Sequence, residues 1–308
     1  MRRLFRYLLH QRHIRATNLP RYDSASYFYN SSVLYIQFQF LFTSLFNHTV
    51  MGHSLKYSLM NHLPRTYAMI VAAGRGSRFG ASIAKQYTQL QDQTLLELSV
   101  ARLASSKHID QCLLVVAEDD STASTLNFAI PVSYAIGGAE RWQSVQAGVT
   151  AISDTGANDS DLILIHDAAR PAVPSHDIDQ VIEAALSESY GAILATPVAD
   201  TLKTSHTKSE TIDRLSDNDS QHYYAKRTID RSGMWQAQTP QVFRLGPLKR
   251  VLNYVAEHQL TITDEASAFE YLDLPIRLVA GSRQNVKLTY PDDALLLSAI
   301  LNVQLDPP

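Results

Sequence analysis

Short apolar runs alternate with stretches of helical periodicity along the chain from residue 65 onward. Five largely apolar runs predict buried β-strands, at residues 67–71, 112–116, 132–136, 161–165 and 191–197. Apolar side chains recur at helical spacing within residues 94–106, 140–152, 175–185 and 247–258. A last strand is predicted at residues 276–279 and a last helix from Pro291. This alternation predicts an α/β fold with a mostly parallel sheet flanked by helices on both faces.

Polar residues mark several helix starts. Ser175 precedes the apolar positions of its helix and is predicted to cap it. Thr263, followed by two acidic residues, is predicted to cap another helix. Two acidic pairs, at residues 119–120 and 292–293, carry the charge expected at helix starts and are not predicted to bind a metal.

Residues 198–233 interrupt the alternation of strands and helices. They are polar and charged, and two short segments, at residues 201–203 and 223–225, are candidates for paired strands. A segment of about 35 residues without a core of its own usually packs on another surface or is disordered. We therefore expect an arm that embraces a second subunit.

Residues 1–64 differ in composition from the rest and are predicted to lie outside the working fold, which spans residues 65–308. The first 22 residues contain six arginines and no acidic residue. An apolar run at residues 33–46 is shorter than the about 20 residues needed to cross a bilayer. The preferred interpretation is that this segment is upstream sequence translated from too early a start codon, and that Met51 or Met60 is the true initiator. An organelle transit peptide and a membrane-surface anchor are the alternatives.

Composition and charge narrow the class of protein. The 308-residue chain is 45% hydrophobic and 19% charged, as expected of a soluble globular enzyme with one large or two modest domains. Its net charge of -3 argues against a broad nucleic-acid-binding surface, so any cationic site must be local. The single cysteine, Cys112, lies in an apolar run, which predicts an inert core residue. Because the chain has no second cysteine, an intrachain disulfide is excluded.

Three glycines follow the first predicted strand, within residues 74–80, and two cations, Arg78 and Lys85, lie close by in the sequence. Glycine lets the main chain approach a ligand closely, and exposed N–H groups in such a loop suit phosphate oxygens. The segment lacks the Gly-Lys-Ser/Thr of a Walker A loop, and its last glycine comes one position late for the dinucleotide fingerprint. The pattern favours a cradle for a nucleoside triphosphate.

Seven short motifs occur in the order found in one enzyme family. They are residues 72–78 with 85–87, 137–145, 166–171, 197–201, 230–231 with 238–241, 262–267 and 285–287. Together they resemble the 2-C-methyl-D-erythritol 4-phosphate cytidylyltransferases over about residues 66–303. The resemblance implies a Rossmann-like nucleotidyltransferase fold with a protruding β-arm. Val71 stands where many members of the family have proline, and Ala84 where proline usually precedes the lysine, and both differences bear on the rigidity of the loop.

The reaction implied by this resemblance joins CMP from CTP to a sugar-alcohol phosphate and releases pyrophosphate. The attacking phosphate is already anionic, so catalysis rests on positioning and on stabilising negative charge. By resemblance, Arg78 and Lys85 hold the triphosphate, and Lys287 acts from the far side of the α-phosphate. Asp167, at the end of a predicted strand, is expected to bind Mg²⁺, which often takes only one or two carboxylates.

The resemblance also implies two sets of binding residues. The nucleotide is expected to contact Ala72, Ala73, Gly74, Gly76, Gly138, Ser144 and Ala168, with cytosine recognised mainly by main-chain groups and the Ser144 hydroxyl. The sugar-alcohol phosphate is expected to contact Arg170, Thr201, Arg231, Thr239 and Thr263. Several of these come from the arm of a partner subunit in the family, so a homodimer is implied. His166 is predicted to be structural rather than catalytic.

Two other functions stay open. A cytidylyltransferase for another polyol phosphate, such as ribitol 5-phosphate, would share the fold, although Arg231 and residues 263–267 favour methylerythritol phosphate. A catalytically silent nucleotide-binding or scaffold protein is the second alternative. The joint presence of the charged residues assigned to catalysis and metal binding counts against it; these are Arg78, Lys85, Asp167 and Lys287. Nucleic acid and membrane are not expected as partners. The expected location is the bacterial cytoplasm, or a plastid if the N-terminal segment is a transit peptide.

Overall fold

The computed structural model describes residues 64–74, 84–207 and 222–305, which belong to one compact unit, Pro64–Pro308. The strands are β1 (Thr66–Val71), β2 (Gln89–Leu90), β3 (Gln93–Thr94), β4 (Cys112–Val116), β5 (Val132–Ile136), β6 (Leu162–Asp167), β7 (Gly191–Pro197), β8 (Leu202–Thr207), β9 (Tyr223–Ile229), β10 (Trp235–Arg244) and β11 (Arg277–Ala280). The helices are α1 (Leu95–Ala104), α2 (Arg141–Asp154), α3 (Ser175–Ser187), α4 (Leu245–Glu257), α5 (Glu265–Glu270) and α6 (Asp293–Leu305), with short 3-10 helices at Lys85–Tyr87 and Ala123–Thr125. The predicted N-terminal extension falls, apart from its last residue, outside the described residues.

Seven strands form the main sheet, in the order β11-β7-β10-β6-β1-β4-β5. β6 lies at its centre, and β1 pairs in parallel with β6 on one side and with β4 on the other. β5 pairs in parallel with β4, and β11 with β7. β10 runs antiparallel to both of its neighbours, β6 and β7. The prediction of a mostly parallel sheet is confirmed.

Alternate residues of β6 pack into two hydrophobic cores, one on each face of the sheet. Leu162 and Leu164 contact the core formed with α1 and α3, whereas Ile163 and Ile165 contact the core formed with α2 and α4. This follows from the strand geometry, in which successive side chains point to opposite faces. All four side chains are fully buried, and each contributes roughly 1.5–3 kcal/mol to folding. Burial on both faces explains why the strand is a continuous apolar run in the sequence.

The sequence pattern does not predict β10, which fills the space between β6 and β7. Pro240 and several glutamines interrupt its apolar character, and proline is normally excluded from the interior of a sheet. The structure accommodates Pro240 through a cis Thr239–Pro240 peptide and an irregularity in the pairing with β7 between Ala237 and Gln241. β10 brings Thr239 alongside the carboxyl end of β6.

β8 and β9 form a separate antiparallel sheet that corresponds to the predicted arm. Both predicted segments overlap these strands, but they do not face each other, because Lys203 pairs with Thr228. Nearly all β9 side chains are exposed, so neither face of this two-stranded sheet carries a core. The two ends of the arm are adjacent, since the Val198 N–H donates to the Met234 carbonyl at 3.1 Å.

The structure corrects both predicted helix caps. Ser175 is the first helical residue of α3, and the cap position is occupied by Pro174, which makes no side-chain hydrogen bond. Proline suits this position because it has no N–H that needs a partner. α5 is capped by Asp264 rather than by Thr263, because the Asp264 carboxylate accepts a hydrogen bond from the Ser267 N–H at 3.0 Å.

Residues from the two acidic pairs act at the starts of helical turns, as predicted. Asp120 accepts hydrogen bonds from the N–H groups of Thr122 and Ala123, and Asp293 begins α6. Across the described residues, no group of three or more His, Cys, Asp or Glu side chains is arranged to hold a metal ion. Cys112 is buried in β4, and burial raises the pKa of its thiol to about 12, which confirms an inert core residue. The helices in the described part of the chain are too short or too polar to cross a membrane.

Candidate active site

The carboxyl ends of β1, β5 and β6 meet at one edge of the sheet, where a cavity of about 280 Å³ opens. β1 leads into residues 72–74, β5 leads into residues 137–138, and β6 ends at Asp167. Parallel strands present their carboxyl ends at the same edge, so segments far apart in sequence converge here. The predicted site residues that line the cavity are Ala72, Ala73, Gly74, Lys85, Gly138, Ser144, Asp167, Ala168 and Lys287.

Two of the three predicted catalytic cations, Lys85 and Lys287, line this cavity. Lys85 opens the 3-10 helix Lys85–Tyr87, which is tied to the neighbouring loop by a hydrogen bond from the Tyr87 hydroxyl to the Asp120 carboxylate. Arg78 and the predicted nucleotide-binding Gly76 lie outside the described residues. Lys85 and Lys287, the two predicted catalytic cations that the structure describes, therefore lie at one cavity, as expected.

Gln86 was not predicted as a functional residue, and it holds the main chain that faces the cavity. Its buried amide donates a 2.7 Å hydrogen bond to the carbonyl of Ala72. The Ala72 N–H donates to the Val115 carbonyl at 2.8 Å and continues the pairing of β1 with β4. Both main-chain groups of Ala72 are thus engaged within the protein, and its carbonyl keeps one lone pair for a base. The sequence offered a signal for this residue, because the motif at residues 85–87 places a glutamine beside the lysine.

Gly138 and Ser144 form a compact turn at the start of α2. The Gly138 N–H donates to the Ser144 hydroxyl oxygen at 3.1 Å, and the hydroxyl lies 3.3 Å from the Glu140 carbonyl. A Cβ at position 138 would come within 2.4 Å of the Gln143 Cβ, so only glycine fits. The predicted role of Ser144 in contacting cytosine stays a prediction, and the structure adds a second role in bracing this turn.

Asp167 lies among three cations at the end of β6. Its Oδ2 is 2.7 Å from the Lys287 ammonium and 3.9 Å from Arg170 Nε, and its Oδ1 is 3.3 Å from Arg141 Nη2. Burial alone would raise the pKa of Asp167, but the charges of Arg141 and Lys287 outweigh burial and hold the pKa well below its ordinary value. Asp167 is therefore a carboxylate at neutral pH.

Arg141 and Glu265 form an ion pair that sequence reasoning did not assign a role, although both lie within the quoted motifs. Arg141 Nη1 lies 2.6 Å and 2.7 Å from the two carboxylate oxygens of Glu265. Burial raises the pKa of Glu265, and Arg141 partly offsets this. Burial opposes the charge of Arg141, but Glu265 and Asp167 raise its pKa. A buried carboxylate needs such a partner, and only the three-dimensional structure shows which one it has.

His166 and Thr239 form a chain of hydrogen bonds behind Asp167. The Asp167 N–H donates to the Thr239 hydroxyl oxygen at 3.1 Å, and that hydroxyl lies 3.1 Å from His166 Nδ1. His166 Nε2 donates to the Arg170 carbonyl at 3.0 Å, which leaves Nδ1 as the acceptor for Thr239. Burial lowers the pKa of His166 to about 4, so the ring is neutral. The predicted structural role of His166 agrees with these contacts.

The loop that carries Lys287 is anchored by Asn285, another residue without a predicted role. The Asn285 amide, 1% exposed, donates to Gln238 Oε1 at 3.0 Å and to the Thr239 carbonyl at 2.8 Å. The main-chain carbonyl of Asn285 accepts a 2.7 Å hydrogen bond from Arg170 Nη1. These bonds fix the backbone two residues before Lys287, and they place Arg170 next to the same loop.

The five predicted acceptor-binding residues separate into two groups. Arg170 and Thr239 are linked to the surroundings of Asp167 by the contacts above. Thr201, Arg231 and Thr263 are exposed and do not line the cavity. Within the described residues of one chain, the structure therefore does not bring all five together.

A cavity at the carboxyl edge of a mostly parallel sheet, with a glycine turn on one side and cations on the other, is the arrangement expected of a nucleotide-binding α/β transferase. Residues 66–303 match the family model described as 2-C-methyl-D-erythritol 4-phosphate cytidylyltransferase, IspD. The chain belongs to this family, and the resemblance found in the motifs is confirmed.

Relatives and solved structures agree with this assignment. The chain is 68% identical over 268 residues to the 2-C-methyl-D-erythritol 4-phosphate cytidylyltransferase of Psychrobacter arcticus, covering 81% of this chain and 95% of the relative. It is 40% identical over 243 residues to that of Paraburkholderia xenovorans, covering 77% and 97%. A solved 4-diphosphocytidyl-2C-methyl-D-erythritol synthase superposes with a TM-score of 0.63 at 35% identity, covering 77% of this chain and 99% of that structure. The cytidylyltransferase of Thermus thermophilus superposes with a TM-score of 0.61 at 26% identity, covering 78% and 100%.

Proposed function

We propose that the chain transfers CMP from CTP to 2-C-methyl-D-erythritol 4-phosphate in the synthesis of isoprenoid precursors. The products are 4-diphosphocytidyl-2-C-methyl-D-erythritol and pyrophosphate. The observation that carries the proposal is the placement of Lys85, Lys287 and Asp167 around the cavity below the glycine turn, in a chain of this family.

In the proposed reaction, a phosphate oxygen of the sugar alcohol attacks the α-phosphorus of CTP. A new P–O bond forms, the bond from the α-phosphorus to the oxygen that bridges to the β-phosphorus breaks, and pyrophosphate leaves with that electron pair. The nucleophile is anionic at neutral pH, so no general base is required. His166, the histidine nearest to Asp167 in sequence, is buried and engaged at both ring nitrogens, which agrees with a reaction that needs no histidine base.

Lys85 and Lys287 supply the positive charge that this reaction needs. Both line the cavity, and they come from opposite ends of the domain sequence. Preorganised cations lower the barrier because they stabilise charge that develops on the α-phosphate and the leaving group. Lys85 acts on the triphosphate and Lys287 on the α-phosphate from the acceptor side, with Arg78 assigned to the triphosphate by its motif.

The residues at the end of β6 fit a magnesium site. Asp167 is ionised and lies at the cavity wall, and Mg²⁺ commonly binds one or two protein carboxylates together with water and substrate phosphates. Asp167 would hold the ion, which supplies charge neutralisation for the phosphates when bound. Lys287 contacts the same carboxylate through Oδ2, so its ammonium competes with the ion for that oxygen.

The arm supports a homodimer in which each subunit completes the other's acceptor site. β9 exposes its side chains, among them Tyr223 at 69%. Large exposed aromatic residues on a strand without a core are typical of protein–protein contact. Thr201 and Arg231 flank this arm and lie away from the cavity of their own chain, as expected if they act in a partner. The bacterial cytoplasm remains the predicted location, and the relatives named above are bacterial.

A coupled assay of pyrophosphate release tests the proposal. Release is expected with CTP and 2-C-methyl-D-erythritol 4-phosphate, and other nucleotides or acceptors should give much lower rates. Release with ribitol 5-phosphate and none with methylerythritol phosphate would assign the chain to another polyol. Binding of CTP without release from any acceptor would identify a silent homologue.

A further inference from the structure

Glu265 is a fully buried carboxylate at the first position of α5. Both of its oxygens contact Arg141, at 2.6 Å and 2.7 Å from Nη1. A buried ion pair is weak evidence for stability, because removing two charges from water offsets most of their attraction. The pair therefore calls for an explanation other than the stability of the fold.

Arg141 also reaches a second carboxylate. Its Nη2 lies 3.3 Å from Asp167 Oδ1, a single and longer contact than the two it makes with Glu265. A guanidinium prefers to pair with a carboxylate through two parallel N–H groups. Because Glu265 engages Nη1, Arg141 does not pair with both oxygens of Asp167, and Oδ2 faces Lys287 instead.

We propose that Glu265 is a positioning residue, which acts through Arg141 to keep Asp167 directed at the nucleotide cavity. Glu265 does not line the cavity, whereas Arg141 and Asp167 both do. The negative charge of Glu265 also balances Arg141, so that Asp167 keeps its attraction for a cation that accompanies the phosphates. This inference rests on the proposed function and names a residue that sets the geometry of that site.

A comparison of two backgrounds tests whether Glu265 acts through Asp167. Glu265→Gln keeps the size of the side chain and removes its charge. The dissociation constant of the non-cleavable analogue α,β-methylene-CTP is measured by calorimetry in the presence of Mg²⁺. Glu265→Gln is expected to weaken binding about tenfold in the wild-type background and less than twofold in an Asp167→Asn background. Similar weakening in both backgrounds, or none in the wild type, overturns the proposal.

Asp161→Asn is the matched control. Asp161 is a buried carboxylate, 3% exposed, immediately before the first residue of β6, the strand that Asp167 ends. It accepts main-chain hydrogen bonds from Arg65 and Asn158 at 2.9 Å and 2.7 Å. This control is expected to lower the melting temperature while the analogue affinity stays within about twofold in both backgrounds.

A second variant keeps the test decisive if Glu265→Gln does not fold. Arg141→Lys retains the positive charge beside Glu265 but cannot reach two carboxylates with a planar fork. It should show the same loss of analogue affinity, confined to the background that contains Asp167, and equal losses in both backgrounds overturn the proposal. Turnover is measured separately, since absence of pyrophosphate release by the wild-type chain contradicts the proposed function rather than the role of Glu265.

Discussion

The ammonium of Lys287 lies 2.7 Å from Asp167 Oδ2, although 120 positions separate the two residues in sequence. Asp167 ends β6, the central strand of the sheet, whereas Lys287 stands on the loop before the last helix. The Lys287 side chain is 43% exposed and that of Asp167 is 12% exposed. Because the Lys287 side chain is the more exposed of the two, Lys287 is the partner that can exchange its contact for a phosphate.

Replacing Lys287 by methionine is expected to lower kcat by about 100-fold or more, because one preorganised contact to the reacting phosphate is lost. The fold should be retained, since the charged end of Lys287 is partly exposed and Asp167 keeps its 3.3 Å contact with Arg141. Pyrophosphate release and the melting temperature measure the two effects. A near-normal kcat would contradict the assigned role.

The same substitution should strengthen the binding of a divalent cation to the nucleotide-free protein. Lys287 competes for Asp167 Oδ2, and its removal leaves that oxygen to the ion. The gain is about threefold, because a partly exposed ion pair is weak. Titration with Mn²⁺, followed by electron paramagnetic resonance, measures it, and Asp167→Asn serves as the negative control. Unchanged Mn²⁺ affinity in the Lys287→Met protein would show that the two cations do not compete.

Asn285→Ala should reduce both stability and turnover. The substitution removes the amide that binds Gln238 and Thr239, and it leaves buried acceptors without a donor. We expect a loss of about 1–3 kcal/mol in the free energy of unfolding, together with a lower kcat because the loop of Lys287 is no longer anchored. Asn253→Ala, at an exposed position of α4, is the control and should change neither quantity. A stable Asn285→Ala protein with normal kcat would refute the anchoring role.

The buried His166 predicts a loss of stability in mild acid. Its pKa is about 4 in the folded protein and 6.5 ordinarily, so the unfolded chain binds the proton more readily. The stabilisation is fully present above pH 6.5 and is lost as the pH falls toward 4. Between pH 7 and pH 5 this amounts to about 2 kcal/mol. Urea unfolding of the wild type and of His166→Gln should show this difference in pH dependence, and parallel curves would rule it out. The depressed pKa of Asp167 acts in the same direction only below its ordinary value of 3.8.

Removing the arm should separate nucleotide binding from acceptor turnover. Pro197 and Trp235 pair across β7 and β10, so an Asn-Gly turn in place of residues 199–233 can join these strands. The shortened protein is expected to fold, to sediment as a monomer and to bind α,β-methylene-CTP with an affinity within a few-fold of the wild type. Its turnover with methylerythritol phosphate should be lost. A dimeric or fully active shortened protein would contradict the assignment of the arm.

Much of the fold follows from the hydrophobic pattern, because β4, β6 and β7 are almost entirely buried and form continuous apolar runs. The prediction that residues 132–136 form a buried strand is wrong in one respect: β5 is an edge strand of the sheet and is largely exposed, with Ile136 53% exposed. β4, β5 and β7 begin and end at the predicted residues. β10 is different, since its polar side chains lie at the site and its proline is tolerated only through local irregularity. The pattern of apolar residues predicts strands whose side chains pack in the core, but it does not predict a strand whose polar side chains contact the site residues.

The site was predictable where one residue type carries the chemistry. The motifs pointed to Lys85, Asp167 and Lys287, because phosphate and metal binding require charged side chains, and all three line the cavity. They did not reveal that Gln86, Asn285 and Glu265 hold those elements in place. Such roles depend on which distant side chain supplies the partner, and spacing along the sequence carries no information about that.

The strand β10 begins one residue after the hydrogen bond that closes the arm, between Val198 and Met234. The chain therefore leaves the sheet and returns to it at a single point. Closing a loop costs entropy that rises only slowly with the length of the loop. The arm can therefore become longer or shorter, or change its surface residues, without disturbing the strands on either side. Subunit association and acceptor preference can thus diverge during evolution in one interval of the sequence, while the edge that receives the nucleotide is inherited intact.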